Sequence, residues 1–342
     1  MHLARRAWCR TYQTVFRIAL PILPYTEPRI LEHAEDVPAV LQKRSIQKVL
    51  IVTDPGIARL GLTAPLETAL ACRGIGVTVY AETRANPTVS NVEEAASLYR
   101  ESACQAIIGF GGGSAMDCAK GVGARIAQPN KPINKMRGLL RIHRLLPLLI
   151  AVPTTAGTGS EVTLAAVITD DETHYKYPIN DFVLIPGQTG MDALTHAVEA
   201  FIGRSTTPYT RKMARQAVQL IHDNLLEAYE HGDDMRARRN MLSAAYKAGV
   251  AFTRSYVGYV HAIAHSLGGR YGIPHGLANA IILPHMLRAY GDAAAPKLAD
   301  LARMAGIAPA TAQDSLAAEA FFDWVDRMNE ILGIPKYVSG IR

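Results

Sequence analysis

The sequence predicts an α/β N-terminal half built on a parallel sheet, followed by an all-α C-terminal half. Three observations carry this. From Pro28 onward, short β-branched runs alternate with amphipathic helical stretches, the pattern of parallel α/β units. The first such run, KVLIVT at 48–53, is apolar along its length, as a strand buried on both faces must be. After Met191 the β-branched clusters give way to long stretches with helical spacing.

Taken in order, Asp54, Pro55 and Gly56 end the 48–53 strand and a helical pattern follows to about Cys72. GVTVY at 76–80 then closes a βαβ unit. Asn86 and Pro87 mark a loop, 92–102 reads as a helix, and QAIIGF at 105–110 as a third strand. A fourth strand is expected at 147–153 and a further one within 162–169, before the Asp170/Asp171 turn. Helices are expected at 198–203, 209–231, 235–257 and 259–267. The Gly-rich stretch 187–190 sets the expected boundary, giving domains 1–188 and 189–342 with an N-terminal extension at 1–27.

At 342 residues with 49% hydrophobic and 19% charged residues, the chain can bury a large core. The formal charge of +6 is spread without a dense basic stripe, which argues against a nucleic-acid partner. Cys9, Cys72, Cys104 and Cys118 form no CxxC pair and no secretory apolar segment is recognisable, so a cytoplasmic location is expected. The most apolar run, 139–152, is broken by Arg141, His143, Arg144 and Pro147. No membrane span is expected. The first residues carry Arg5, Arg6, Arg10 and Arg17 with no acid before Glu27, but Tyr12, Phe16 and Ile18 favour packing on the protein over a transit peptide.

Gly111-Gly112-Gly113-Ser114 directly follows the 105–110 strand and opens a helix. Glycines let backbone N–H groups approach a phosphate, and the helix N-terminus adds unpaired donors and a positive dipole end. Met116 stands where GxGxxG requires its third glycine, so the loop alone is equally readable as a tight strand-to-helix turn. A second strand-following loop, Thr154-Thr155-Ala156-Gly157-Thr158-Gly159, shifts the reading toward a dinucleotide. Asp54 at the carboxyl end of the first strand is placed to accept from ribose hydroxyls, favouring NAD, or to cap the following helix.

Asp192 and His196 are four residues apart, as are His261 and His265, so each pair shares a helix face. His275 follows in a GIPHG turn able to return another imidazole toward them. A carboxylate with imidazoles and no thiolate suits Fe²⁺ or Zn²⁺ with a position open for substrate. His222, His231 and His285 lack partnered spacing and read as structural or exposed.

With these features together, the sequence closely resembles the iron-containing (group III) alcohol dehydrogenase family. The matching stretches are GGGSAMDCAK (111–120), PTTAGTGSEVT (153–163), GMDALTHAVEAF (190–201) and HAIAHSLGGRYGIPHGLANAIILPH (261–285). The resemblance implies a dinucleotide-binding α/β domain and a helical domain of dehydroquinate synthase-like architecture. It implies metal ligands at Asp192, His196, His261 and His275, with His265 a further active-site histidine. It implies cofactor contacts at Gly112, Gly113, Ser114, Asp117, Thr154, Thr155, Thr158 and Lys176, with Asp54 and Asn86 on the adenosine side. The implied reaction is reversible hydride transfer between a small primary or secondary alcohol and NAD, with His265 relaying the proton. An alcohol or aldehyde is the expected partner, and a homo-oligomer is compatible with the family.

Two departures from the family pattern carry their own expectation. A strand and DPxL-type turn expected between Pro186 and the helix of Asp192 are missing, and the sequence stops at Arg342 before expected terminal helices. These departures motivate an alternative: a catalytically weak paralogue that binds nucleotide or serves as an oligomer subunit.

Overall fold

The computed structural model describes residues 10–11, 14–15, 28–31, 33–156, 160–181, 184, 190–255 and 258–340, without the side chains of 190–192 and 269. Two compact units emerge, one of Thr26–Thr155 with Ser160–Gln188, the other containing Thr189–Arg342.

The first unit begins with a short helix, α1 (Val37–Gln42), and then builds β1 (Lys48–Val52), in which Val49, Leu50, Ile51 and Val52 are fully buried. Short helices α2 (Pro55–Arg59) and α3 (Ala64–Ala71) lead to β2 (Gly76–Tyr80). Then come α4 (Val89–Glu101), β3 (Ala106–Gly111), α5 (Gly113–Ala127), the two-residue β4 (Gly138–Leu139) and β5 (Leu148–Pro153). The main sheet has the order β2-β1-β3-β5 and all its pairs are parallel. From β1 the chain steps to β2 on one side, and from β3 to β5 on the other. The carboxyl ends of β1 and β3 therefore flank a topological switch point, where ligands of open parallel sheets bind.

Glycine fixes how closely α5 lies on this sheet. A Cβ on Gly109 would come within 3.1 Å of both Met116 Sδ and Ala119 Cβ. On α5 itself, Cβ atoms at Gly121 and Gly123 would sit 2.8 Å from side-chain carbons of Val92 and Leu146. Close approach needs these positions bare.

A second, smaller sheet has the order β4-β7-β6, from the antiparallel pair β6 (Ala165–Thr169) and β7 (Lys176–Asn180) with β4 parallel to β7. The strand expected within 162–169 starts later, because Ser160–Val162 form a 3₁₀ turn. β7 is not foreseen from sequence, since Pro178 argues against a strand interior. It is tolerated because β4 reaches only Ile179 and Asn180, leaving β7 an edge at Pro178.

The second unit is helical: α6 (Gly190–Ile202), α7 (Pro208–Glu230), α8 (Met235–Thr253), α9 (Tyr259–Tyr271), α10 (His275–Tyr290), α11 (Ala295–Met304) and α12 (Asp314–Ile331). The stretch expected at 198–203 is the end of α6, which begins at Gly190 and so carries both Asp192 and His196. Thr207 and Thr210 form a capping box that starts α7, and Asp234 accepts from Arg236 and Ala237 to start α8. α9 runs to Tyr271, four residues beyond the expected end at 267, and Gly272 at φ 69° ends it in the left-handed conformation. Alanine dominates the core, with Ala193, Ala197, Ala200, Ala214, Ala217, Ala244, Ala245 and Ala248 all buried. Small side chains let the helix backbones come close. Among the described residues no helix is long and apolar enough to cross a membrane.

Gly121→Val tests the packing of α5, because the added methyls meet Val92 and Ile168. A loss of about 1–3 kcal/mol in denaturant unfolding is expected, and unchanged stability would show that the contact is not tight.

Candidate functional site

In the first unit the glycine loop crosses the carboxyl end of β3. Gly111 sits at φ 146°, where a Cβ would lie 2.9 Å from that of Ala115. The Gly111 carbonyl accepts from Thr154 N–H at 3.0 Å. A Cβ on Gly112 would lie 3.1 Å from Thr155 Oγ1. Gly112, Gly113, Thr154 and Thr155 are thus brought together, with Gly113 and Ser114 opening α5, whose N-terminal N–H groups suit an anion.

Asn86, Ser114 and Lys176 also meet, although they lie far apart in sequence. Lys176 Nζ donates to Asn86 Oδ1 at 2.8 Å, and Asn86 N–H donates to Ser114 Oγ at 3.3 Å. Asn86 adopts φ 62°, a left-handed conformation that asparagine tolerates better than most residues. Asp54 Oδ1 accepts from Gly56 and Ile57 N–H, so the capping reading of this residue holds whatever else its carboxylate does. Thr158 lies outside the described residues.

Asp117 is turned into the protein. One carboxylate oxygen accepts from Ser160 Oγ and the other from Val167 N–H at 3.0 Å. Lys120, one turn along α5 and fully buried, donates to Ser160 Oγ at 2.9 Å, Thr163 Oγ1 at 2.9 Å, Thr163 O at 3.1 Å and Ala165 O at 2.7 Å. The ammonium therefore ties the helix that opens at the first glycine loop to the chain just beyond the second. Burial lowers the Lys120 ammonium from its usual 10.5 to about 8, against the pull of the Asp117 and Glu161 carboxylates. Burial also pushes the Glu161 carboxyl well above the usual carboxylate range, with the Lys120 charge opposing.

In the second unit α6, α9 and α10 converge on one imidazole cluster. Nitrogens of His196, His261 and His275 all lie within 4.8 Å of one another. The His196 and His261 rings stack at 4.5 Å and 13°, with Phe252 stacked on His196 at 3.9 Å. His265 joins them, its ring 5.0 Å from His275 and 6.1 Å from His261. The backbone of Asp192 lies one turn before His196 on α6, while its side chain is not among those described. The amide of Asn279 lies 3.2 Å from His275 Nε2.

Sequence reasoning missed Glu199. Its buried carboxylate accepts from Gly258 N–H at 2.7 Å and Val260 N–H at 2.8 Å, and stands 2.6 Å from His261 Nδ1. Its i, i+3 spacing from His196, on the helix face that also carries Asp192, was the available signal.

The donor set fits a divalent ion: neutral imidazoles are ligands for Fe²⁺ and Zn²⁺, and two nitrogens on one tetrahedral ion stand ~3.4 Å apart. A switch-point glycine loop and a largely buried imidazole cluster are the parts that a metal-dependent dehydrogenase requires. Comparison with known proteins narrows it. Residues 30–192 match the family pattern described as "Iron-containing alcohol dehydrogenase", and residues 187–340 that described as "Fe-containing alcohol dehydrogenase family, C-terminal". A 1,3-propanediol dehydrogenase of Citrobacter freundii is 38% identical over 315 residues, spanning 86% of this chain and 81% of that protein. An NAD-dependent methanol dehydrogenase of Bacillus methanolicus is 33% identical, spanning 88% and 84%. A crystal structure of a 1,3-propanediol oxidoreductase superposes with a TM-score of 0.88 at 35% identity, covering 93% of this chain and 89% of that one.

The chain belongs to the iron-containing alcohol dehydrogenase family. It is an NAD-dependent enzyme interconverting alcohols and aldehydes, with iron as its metal. The reading as a weak nucleotide-binding paralogue is not favoured.

The buried ammonium gives a pH test. Between about 8 and 10.5 the unfolded chain keeps the Lys120 proton that the folded chain has released, so the unfolding free energy rises with pH across that window. Below it both states are protonated and the contribution is flat. The difference in unfolding free energy between wild type and Lys120→Met is expected to climb across the window by up to a few kcal/mol. A pH-independent difference would contradict the shift.

Proposed function

We propose that Asp192, His196, His261 and His275 hold the divalent ion and that the substrates are small primary or secondary alcohols. The observation that carries this is the convergence of three imidazoles, two of them buried, from three helices. Asp192 is supported by its position one turn before His196 on α6. In this reading 1–188 is the NAD-binding domain and 189–342 the metal-binding domain. When bound, the ion supplies Lewis acidity to the alcohol oxygen and the nicotinamide supplies the hydride acceptor.

The residues do the rest. With Nδ1 against Glu199, His261 offers Nε2 to the ion. Phe252 shields one face of His196 from water. His265, beside His275, takes the proton released from the alcohol hydroxyl. The N-terminal N–H groups of α5 at Gly113 and Ser114 bind the cofactor phosphates, supported by Gly112, Thr154, Thr155 and Thr158. Lys176 and Asn86, joined by their hydrogen bond, present one surface to the dinucleotide, and Asp54 accepts from the adenosine ribose. Asp117 contributes by holding Ser160. The free thiols of Cys72, Cys104 and Cys118 support a reducing, cytoplasmic setting.

Stripping the metal with a chelator is expected to abolish NADH formation from short alcohols, and Fe²⁺ to restore it. His261→Ala should co-purify with little metal; full turnover without metal would overturn the ligand assignment. Gly111→Ala forces a side chain into a left-handed loop position, a strain of about 1–3 kcal/mol. Weaker NAD binding in titration, with metal content unchanged, is the expected result.

A further inference from the structure

Glu199 lies three residues after His196 on α6, so one helix face carries both a proposed ligand and a buried acid. A carboxylate has no proton to donate to these partners, and its two oxygens are shared among three donors: Gly258 N–H, Val260 N–H and the His261 ring. The backbone donors are the N-cap of α9, Gly258, which has no side chain with which to cap, and Val260 in its first turn. Helix N-termini expose such N–H groups and favour negative charge, so Glu199 caps α9 from another helix. The fit leaves no room at the cap. A Cβ on Gly258 would lie 2.5 Å from Glu199 Oε1 and 3.0 Å from its Cδ.

The third bond has a chemical consequence. An imidazole 2.6 Å from a carboxylate through Nδ1 is the donor in that bond. Its Nδ1 then carries the hydrogen and its Nε2 carries the lone pair. We propose that Glu199 is a positioning residue for the metal centre. It fixes the tautomer and ring plane of His261 so that Nε2 faces the ion, and ties that geometry to the start of α9. The inference rests on the reading of His196, His261 and His275 as ligands. Carboxylate partners of ligating histidines raise ligand basicity and hold orientation, and their loss costs roughly 10–100-fold in metal affinity.

The test uses the full-length protein freed of metal and titrated with Zn²⁺ against a chromophoric chelator. Wild type, E199Q, G258A and H275A are compared, with circular dichroism to confirm folding. E199Q and G258A are expected to remain folded and to bind Zn²⁺ roughly 10–100-fold more weakly. Nitrogen-15 spectra of the metal-free wild type should show His261 protonated at Nδ1, and those of E199Q a mixture of tautomers. An H275A protein that keeps wild-type Zn²⁺ affinity overturns the ligand reading itself. If H275A loses the ion while folded E199Q and G258A hold it as tightly as wild type, the ligand reading stands and the role of Glu199 falls. Should E199Q fail to fold, G258A and the wild-type tautomer decide alone, and a His261 protonated at Nε2 rejects the proposal.

Discussion

Glu199 sits where three demands of the helical unit meet. The first turn of α9 needs acceptors, His261 needs a fixed tautomer, and a buried carboxylate needs donors. One side chain satisfies all three through bonds of 2.6–2.8 Å. Because the same helix carries His196, any shift of α6 moves His196 and the support of His261 together. Glycine at 258 is the other half of the constraint, since a larger residue would displace the carboxylate.

The α/β unit solves a related problem with the opposite charge. Lys120 is buried completely, and an ammonium in that position is costly unless its hydrogens all find acceptors. It finds them on Ser160, Thr163 and Ala165, just past the second loop, while Asp117 holds Ser160 and Val167 from the same helix. The segment 160–165 is thus fastened to the helix that begins at Gly113. Hydrogen bonds to buried charges are stronger than neutral ones, which strengthens the tie between α5 and the chain at 160–167.

Smallness is the common condition. Bare positions at Gly109, Gly121 and Gly123 let α5 settle against its neighbours, and buried alanines do the same for α6, α7 and α8. Backbones that approach closely place N–H groups and short polar side chains within bonding range of residues distant in sequence. The link from Lys176 to Asn86 to Ser114 is one outcome of that approach.

The sequence by itself determined the strands of the main sheet, because runs such as KVLIVT and QAIIGF are apolar on both faces and stop at glycine, proline or aspartate. It also placed the candidate residues in pairs: four-residue spacing puts His196 one turn from Asp192 and His265 one turn from His261, and local geometry suffices for that. Only the tertiary structure decided what required distant segments to meet. Pro178 hid β7, whose tolerance depends on where β4 ends. Asp117 stands beside the first glycine loop, yet its partners, Ser160 on a turn and Val167 on β6, lie more than forty residues away. Glu199 reads as one more acid on a helix until α9 docks against it, because hydrogen bonds across more than fifty residues leave no period in the chain.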